Sequence, residues 1–186
     1  MPSLRLFIAA CIPPQTAHTI AAASKKLFSA VPSTRVVPEE NVHITLKFLG
    51  DTDLELVPQL LTALQTACMD ERVFSAQLGR GALIPAHHPR TAVLDLEDSP
   101  ELLNIFTKLD TLLAESELAN RDHRLFTPHI TIARFRKTLD PVFIKQFQDW
   151  RDISGRSFTI SSVALFESEL RPAGPTYNRL STIELS

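Results

Sequence analysis

The chain has little of what builds nucleotide cradles and metal centres. It contains five glycines in 186 residues, and the Gly-x-x-x-x-Gly-Lys-Ser/Thr loop that holds ATP phosphates does not occur. Its two cysteines, Cys11 and Cys68, form no disulfide framework and no zinc-binding spacing. Its acidic residues are scattered, whereas a metal-dependent nuclease needs them clustered. These absences argue against ATP-dependent ligases, kinases and metallonucleases, and we expect neither a metal nor a cofactor.

Long apolar runs are absent as well. Residues 4–12 are apolar apart from Arg5, but this run is far shorter than the roughly 20 residues of a membrane helix. It leads directly into two prolines and lacks a signal-peptide cleavage pattern. The net charge of −2 offers no general attraction for nucleic acid, so RNA would have to bind in a local basic groove. We expect a single domain over 1–186 that acts as a monomer in the cytoplasm, away from membranes.

The most informative feature present is the tripeptide His-Ile-Thr, which occurs at 43–45 and again at 129–131. Random placement of the same residues would give about 0.03 copies, so two copies are not an accident of composition. Each copy lies in an apolar, β-prone run, and side chains alternate between the two faces of a strand. His43 therefore shares a face with Thr45, and His129 shares one with Thr131.

Two such strands facing each other would bring together the groups that open a strained phosphodiester. A neutral imidazole can take a proton from water, and a protonated one can deliver a proton to the leaving oxygen. The hydroxyls of Thr45 and Thr131 can donate hydrogen bonds to the phosphate oxygens. The residues by themselves do not say whether His43 or His129 is the acid.

The two motifs and their surroundings resemble the two-histidine (2H) phosphoesterase superfamily, in its RNA 2′,3′-cyclic phosphodiesterase or 2′-5′ RNA ligase (LigT-like) branch. The similarity extends over most of the chain and is carried by four segments, at 5–14, 37–50, 128–134 and 174–177. It implies an α+β fold with two pseudo-duplicated lobes of mainly antiparallel strands. The lobes would form a central cleft with the helices packed outside, and each would contribute one motif.

The resemblance also implies roles for individual residues. It makes His43 the proton donor and His129 the proton acceptor. Arg134 is a candidate phosphate ligand, although an ideal strand would turn it away from His129, so that a bend or bulge is required. Tyr177, the only tyrosine, is a candidate substrate contact, and Phe126 is a candidate for stacking a base.

Three other residues of the motif regions are expected to have structural or solvated roles. Alternation places Lys47 on the face of His43, but so far along the strand that we expect it to be solvated. Phe7 and Phe48 are expected in the core.

The implied activity is hydrolysis of RNA 2′,3′-cyclic phosphate ends to 2′-phosphomonoesters, with the reverse reaction joining tRNA halves through a 2′-5′ bond. The partners would be RNA with such ends or small cyclic nucleotides. Two alternatives stay open at this point. One is a non-catalytic module that binds nucleotides or RNA ends, and the other is a phosphodiesterase for a small cyclic nucleotide metabolite.

Hydrophobic periodicity predicts alternating elements along the chain. The predicted helices cover about 14–30, from the turn at 50–52 to 69, 100–118 and 141–150. The predicted strands cover 4–12, 42–49, 73–84, 91–97, 129–135, 157–167 and 177–185. The halves 1–84 and 91–186 share the order strand, helix, motif strand, helix, strand, which favours a pseudo-duplicated domain.

Overall fold

Each of the four helices in the described part of the chain carries proline in its first turn. Proline is favoured there because its fixed φ suits the helix and its missing N–H would have no intrahelical partner. A computed structural model describes residues 2–172 and 174–186. The helices are α1 Pro14–Leu27, α2 Val57–Cys68, α3 Pro100–Glu115 and α4 Pro141–Gln148. Within these residues no helix has both the length and the apolar character needed to cross a membrane.

The strands join into one antiparallel sheet. They are β1 Ser3–Cys11, β2 Thr34–Val36, β3 His43–Asp53, β4 Phe74–Ile84, β5 Thr91–Glu97, β6 His129–Phe135, β7 Ser157–Ile160, β8 Ser162–Arg171 and β9 Gly174–Glu184. Their order in the sheet is β7-β4-β5-β6-β3-β1-β8-β9, and β2 pairs with β6 off this path. The two motif strands, β3 and β6, are therefore neighbours in the middle of the sheet.

The sheet divides into two lobes at the contact between β3 and β6. One lobe contains β3, β1, β8 and β9, and the other contains β6, β5, β4 and β7. The two sequence halves do share the predicted element order, but they are not the lobes. The first half sends β4 to pair with β5, and the second half sends β8 to pair with β1. The prediction of an α+β fold with two lobes of mainly antiparallel strands is confirmed, and each lobe takes strands from both halves of the sequence.

The helices cover the face of the sheet opposite the histidines. α1 follows β1 but packs against β6, whereas α3 follows β5 but packs against β3. Each of these helices thus lies behind the motif strand of the other lobe. Ile44 and Ile130, the central residues of the two motifs, are fully buried in the core. Burial of both isoleucines holds the polar faces of the two motifs toward the opposite side.

Several predicted boundaries shift because local irregularities interrupt the strands. The predicted turn after residue 49 is instead part of β3, where Gly50 takes a positive φ of 71° beside a change of register with β1. A glycine in this conformation is typical of a β-bulge, which lets the strand continue. The predicted strand 157–167 is divided at Ser161 into β7 and β8, which pair with different lobes. The short strand β2 was not predicted.

A bulge at Leu46 reverses the expected facing of the residues that follow it. Along β1, Ile8 pairs with Lys47 and Ala9 pairs with Thr45, so that Leu46 is the extra residue. Beyond this bulge the alternation is shifted by one. Lys47 is buried, contrary to the expectation that it is solvated, and Phe48 is 71% exposed instead of lying in the core. Phe7 lies in the core as predicted.

The buried Lys47 forms an ion pair behind the motif strand. Its Nζ donates hydrogen bonds to the Asp110 carboxylate of α3 and to the Asn120 carbonyl oxygen, the latter at 2.8 Å. The same Asp110 carboxylate accepts the backbone N–H of Asp122 at 3.0 Å. The pair therefore ties β3 and α3 to the loop 116–128, which leads into the second motif strand.

We expect replacement of Lys47 by Met to cost about 3–5 kcal/mol of unfolding free energy, because it leaves a buried carboxylate without its counter-charge. Urea unfolding of purified protein measures this loss. The double variant Lys47→Met/Asp110→Asn should recover most of it, since the new amide oxygen can still accept from Asp122 and no charge is left unpaired. Lys25→Met, on the exposed face of α1, is the matched control. Equal stability of Lys47→Met and this control would contradict the role of the ion pair.

Candidate active site

The four motif side chains form the corners of a quadrilateral on the open face of the sheet. β3 and β6 pair at one position, Ile44 with Ile130. In this antiparallel register His43 lies opposite Thr131, and Thr45 lies opposite His129. The two histidines are thus on one diagonal, for which regular sheet geometry gives about 7–8 Å between Cβ atoms. A phosphate placed between them would meet one imidazole on each side and one hydroxyl near each imidazole.

The two imidazole rings are oriented in the same way. His43 Nδ1 lies 2.7 Å from the carbonyl oxygen of Asn41, and His129 Nδ1 lies 2.8 Å from that of Thr127. A carbonyl oxygen only accepts hydrogen bonds, so Nδ1 carries the hydrogen in both rings. In each ring Nε2 is therefore the atom left to exchange a proton in the cleft. In both motifs the carbonyl group belongs to the residue two positions before the histidine. The pseudo-symmetry of the two lobes therefore includes these hydrogen bonds.

His43 lies in a mainly aromatic environment. Its Nε2 is 3.0 Å from the hydroxyl oxygen of Thr45. The ring of Phe7 lies behind it at 5.0 Å, and Tyr177 meets it edge-on at 5.3 Å. The pKa of His43 is lowered to about 4, mainly by burial; the hydrogen bond to the Asn41 carbonyl oxygen opposes this shift, and the positive charges of Arg134 and His129 add to it. The ring is therefore neutral near pH 7 in the free protein.

His129 has a different neighbour at the equivalent position. The cross-strand partner of His43 is Cys11, whereas that of His129 is the half-buried Asp95. Burial raises the pKa of Asp95, and the nearby His129 opposes this shift. His129 therefore has a carboxylate beside it, while His43 has a thiol and aromatic rings beside it. The two lobes thus place chemically equivalent imidazoles in unequal electrostatic surroundings.

The bulge that Arg134 requires is present. Along β5, Ala92 pairs with Ala133 and Val93 pairs with Thr131, so that Ile132 is the extra residue. Arg134 consequently lines the same cavity as the two histidines. Its counterpart in the first motif, also five residues after the histidine, is the exposed Phe48. The bulge in each motif strand thus turns the fifth residue after the histidine toward the cleft, and this residue is an arginine in one lobe and a phenylalanine in the other.

The cleft around the motifs has two adjoining sections. A cavity of about 940 Å³ is lined by both histidines and both threonines of the motifs, together with Tyr177. A cavity of about 1070 Å³ lies on the side of the loop 116–128 and contains Phe126, whose ring stacks on Phe106 at 4.3 Å. Thr45, Phe48, Arg124 and His129 line both sections. All the predicted site residues therefore line this one cleft.

Some residues of the cleft were missed by sequence reasoning. They are Asn41, whose side chain donates to the Pro175 carbonyl oxygen at 2.8 Å, the carboxylate Asp95, and the arginines Arg35 and Arg171. Of these residues, only Asn41 could have been predicted from its local sequence position, because it precedes the first motif by two residues. Within residues 2–172 and 174–186 no group of three or more His, Cys, Asp or Glu side chains is arranged to hold a metal ion.

Comparison with known proteins identifies relatives over nearly the whole chain. An RNA 2′,3′-cyclic phosphodiesterase of Methanocaldococcus jannaschii is 27% identical over 175 residues, which is 94% of this chain and 96% of that protein. A protein of the same name from Thermus thermophilus is 28% identical over 187 residues, covering 98% of this chain and 90% of that protein.

Solved structures show the same fold. A crystal structure from Thermus thermophilus superimposes with a TM-score of 0.83 at 25% identity, covering 98% of both chains. Escherichia coli LigT complexed with 3′-AMP gives a TM-score of 0.77 at 21% identity, over 100% of this chain and 99% of that one. The family model of the 2′-5′ RNA ligase superfamily matches residues 12–171. The chain belongs to the 2′-5′ RNA ligase superfamily, as its two His-Ile-Thr motifs predicted.

Proposed function

We propose that this protein is an RNA 2′,3′-cyclic phosphodiesterase that releases 2′-phosphomonoester ends. The observation that carries the proposal is the diagonal placement of His43 and His129 on the wall of one cleft. A displacement at phosphorus needs the attacking and leaving oxygens on opposite sides, and the diagonal supplies one proton-exchanging group for each. The names of the relatives from Methanocaldococcus jannaschii and Thermus thermophilus support the same activity.

In the proposed reaction His129 takes a proton from water through Nε2. The water oxygen attacks phosphorus, and the bond between phosphorus and the 3′ oxygen breaks. His43 delivers a proton to that 3′ oxygen, so that the phosphate stays on the 2′ position. Thr45 and Thr131 donate to the non-bridging oxygens. These positioned proton transfers contribute a factor of about 10² to 10⁴ each.

The donor role requires that His43 gain a proton when substrate arrives. With its pKa at about 4, His43 is neutral in the free protein at pH 6, where an unperturbed histidine would be largely charged. An anionic phosphate between the motifs favours the charged imidazole and offsets the charge of Arg134. Substrate binding would thus protonate the acid that the reaction consumes.

The cleft offers aromatic surface for the nucleoside. Phe48 is exposed at the junction of the two sections, and Phe126 lies beyond it on the loop side. Tyr177 stands at the opposite wall beside His43, and burial raises its pKa, which keeps its hydroxyl protonated. We assign base stacking to Phe48 and Phe126 and a substrate contact to Tyr177.

The same side chains can also act on a nucleophile other than water. A 5′ hydroxyl in place of water would be joined to the 2′,3′-cyclic phosphate as a 2′-5′ bond, with the acid and base roles unchanged. We therefore keep ligation as a second activity of one site. A module that only binds RNA ends would not require two imidazoles that both direct Nε2 into the cleft from opposite corners.

We expect His43→Ala and His129→Ala each to lower turnover of a nucleoside 2′,3′-cyclic phosphate by at least about 10²-fold while the protein stays folded. Both rings lie on the open face of the sheet, so they contribute little to the core. The double variant should be hardly slower than either single one, because the pair acts as a unit. Steady-state rates with and without EDTA, together with melting temperatures, measure this. Retained activity in either variant, or loss of wild-type activity in EDTA, would contradict the mechanism.

We also expect binding of an anion to drive proton uptake at pH 6, because His43 is neutral before binding and charged after it. Sulfate is a suitable probe, since it does not titrate at this pH. Calorimetric titrations in buffers of different ionisation enthalpy count the protons. Uptake should disappear in His43→Gln and persist in His129→Gln. The reverse pattern would assign the proton to His129 and exchange the two roles, and no uptake in wild type would contradict His43 as donor.

A further inference from the structure

The cleft contains more positive charge than one phosphate requires. Four arginines line the section that holds the histidines, namely Arg35, Arg124, Arg134 and Arg171, in a chain whose net charge is −2. The proposed reaction uses Arg134 alone, on the catalytic phosphate. Arg171 is paired with the Glu169 carboxylate at 2.8 Å, whereas Arg35 has no carboxylate partner among the described residues. Arg35 and Arg171 together therefore keep a net positive charge that a second anion can neutralise.

Arg35 is held directly beside Arg134. β2 pairs with β6 in such a register that Arg35 and Arg134 are cross-strand partners. Directly opposed residues share a face, with Cβ atoms about 4.5–5.5 Å apart, and like charges in this position repel. Within the described residues no carboxylate oxygen lies within 4.0 Å of either guanidinium group. An anion bound between them would relieve that repulsion.

The turn between β8 and β9 fixes the position of Arg35 and brings Arg171 to the same wall. Arg35 Nη2 donates to the Pro172 carbonyl oxygen at 3.2 Å. Gly174 has a φ of 132°, and a Cβ at this position would lie 3.1 Å from Arg35 Nη1. Glycine thus allows the turn to close on the guanidinium group. Arg35 is half-buried, which makes it more ordered than a solvated surface arginine.

We propose that Arg35 and Arg171 form a second phosphate subsite, which binds the phosphodiester on the 5′ side of the terminal nucleotide while the cyclic phosphate lies between the histidines. This proposal rests on the proposed function, since it takes the first phosphate as the reacting one. Arg35 lies one strand from Arg134, a step of about 4.8 Å, on the same edge of β6 that β3 contacts at Ile130. The subsite makes an RNA end, rather than a free cyclic mononucleotide, the preferred substrate.

Three substrates that carry the same base distinguish binding of the second phosphate from binding of the reacting one. The first is the nucleoside 2′,3′-cyclic phosphate with a free 5′ hydroxyl, the second is the same molecule with a 5′ phosphate, and the third is a dinucleotide that ends in the cyclic phosphate. For the wild-type protein we expect kcat/KM to be at least about tenfold higher for the second and third than for the first, as a charge-assisted contact to phosphate would give. In Arg35→Ala, and more fully in Arg35→Ala/Arg171→Ala, this ratio should fall toward one.

Arg80→Ala is the matched control, because Arg80 is an exposed strand arginine outside the cleft and its removal should leave the ratio unchanged. Arg35→Lys should retain part of the ratio. The dependence of the dinucleotide Kd on salt should also weaken in Arg35→Ala, by about 0.7 in the slope of log Kd against log salt.

The proposal is overturned if the wild-type protein does not distinguish the three substrates, or if Arg35→Ala slows all of them by the same factor. In both cases turnover of the first substrate would leave the proposed function intact. Absence of turnover in the wild-type protein would instead defeat the proposed function. Equilibrium binding of the first and second substrates to wild type and Arg35→Ala then tests the subsite on its own, with equal affinities overturning it.

Discussion

The site depends on the pairing of Ile44 with Ile130, where the two motif strands β3 and β6 meet. Because side chains alternate along a strand, burial of these two isoleucines forces the flanking histidines and threonines onto the opposite face. The antiparallel direction of the strands then puts the histidines on one diagonal and the threonines on the other. A parallel register would place the two histidines side by side and leave no imidazole for the far side of a phosphate. Packing of the core thus determines the relative positions of the four motif side chains.

The amino-acid sequence predicted this part of the site because it depends only on local alternation. Alternation along a single strand predicts which face of the sheet carries each motif histidine and threonine, whatever the neighbouring strands are. Residues beyond the bulges were harder to place. The extra residue of a bulge has no distinctive residue type here, and it is defined only by the pairing with the neighbouring strand. Lys47 was expected in solvent for this reason, and it is instead buried against Asp110.

The exchange of strands between the lobes was unpredictable for a related reason. The order of elements in residues 1–84 and 91–186 was read correctly, yet a periodic pattern does not say which edge a strand will join. β4 and β8 could each complete their own half, but both cross to the other lobe. The exchange makes the lobes interdependent, since neither can form its sheet from a contiguous segment. Arg35, Asp95 and Arg171 enter the cleft through such long-range pairings, so local sequence signals could not find them.

In the proposed mechanism, the unequal surroundings of the two histidines connect substrate binding to protonation of His43. Burial among aromatic rings and the charge of Arg134 keep His43 neutral, while Asp95 lies beside His129. The closely spaced Arg134 and Arg35 raise the positive potential of the cleft and thereby attract anions, although the chain as a whole is slightly acidic. In the proposed mechanism an entering phosphate would reduce the repulsion between the two arginines and increase the proton affinity of His43 at the same time. Burial, with a smaller contribution from Arg134, would then keep the proposed acid unprotonated until a phosphate is present.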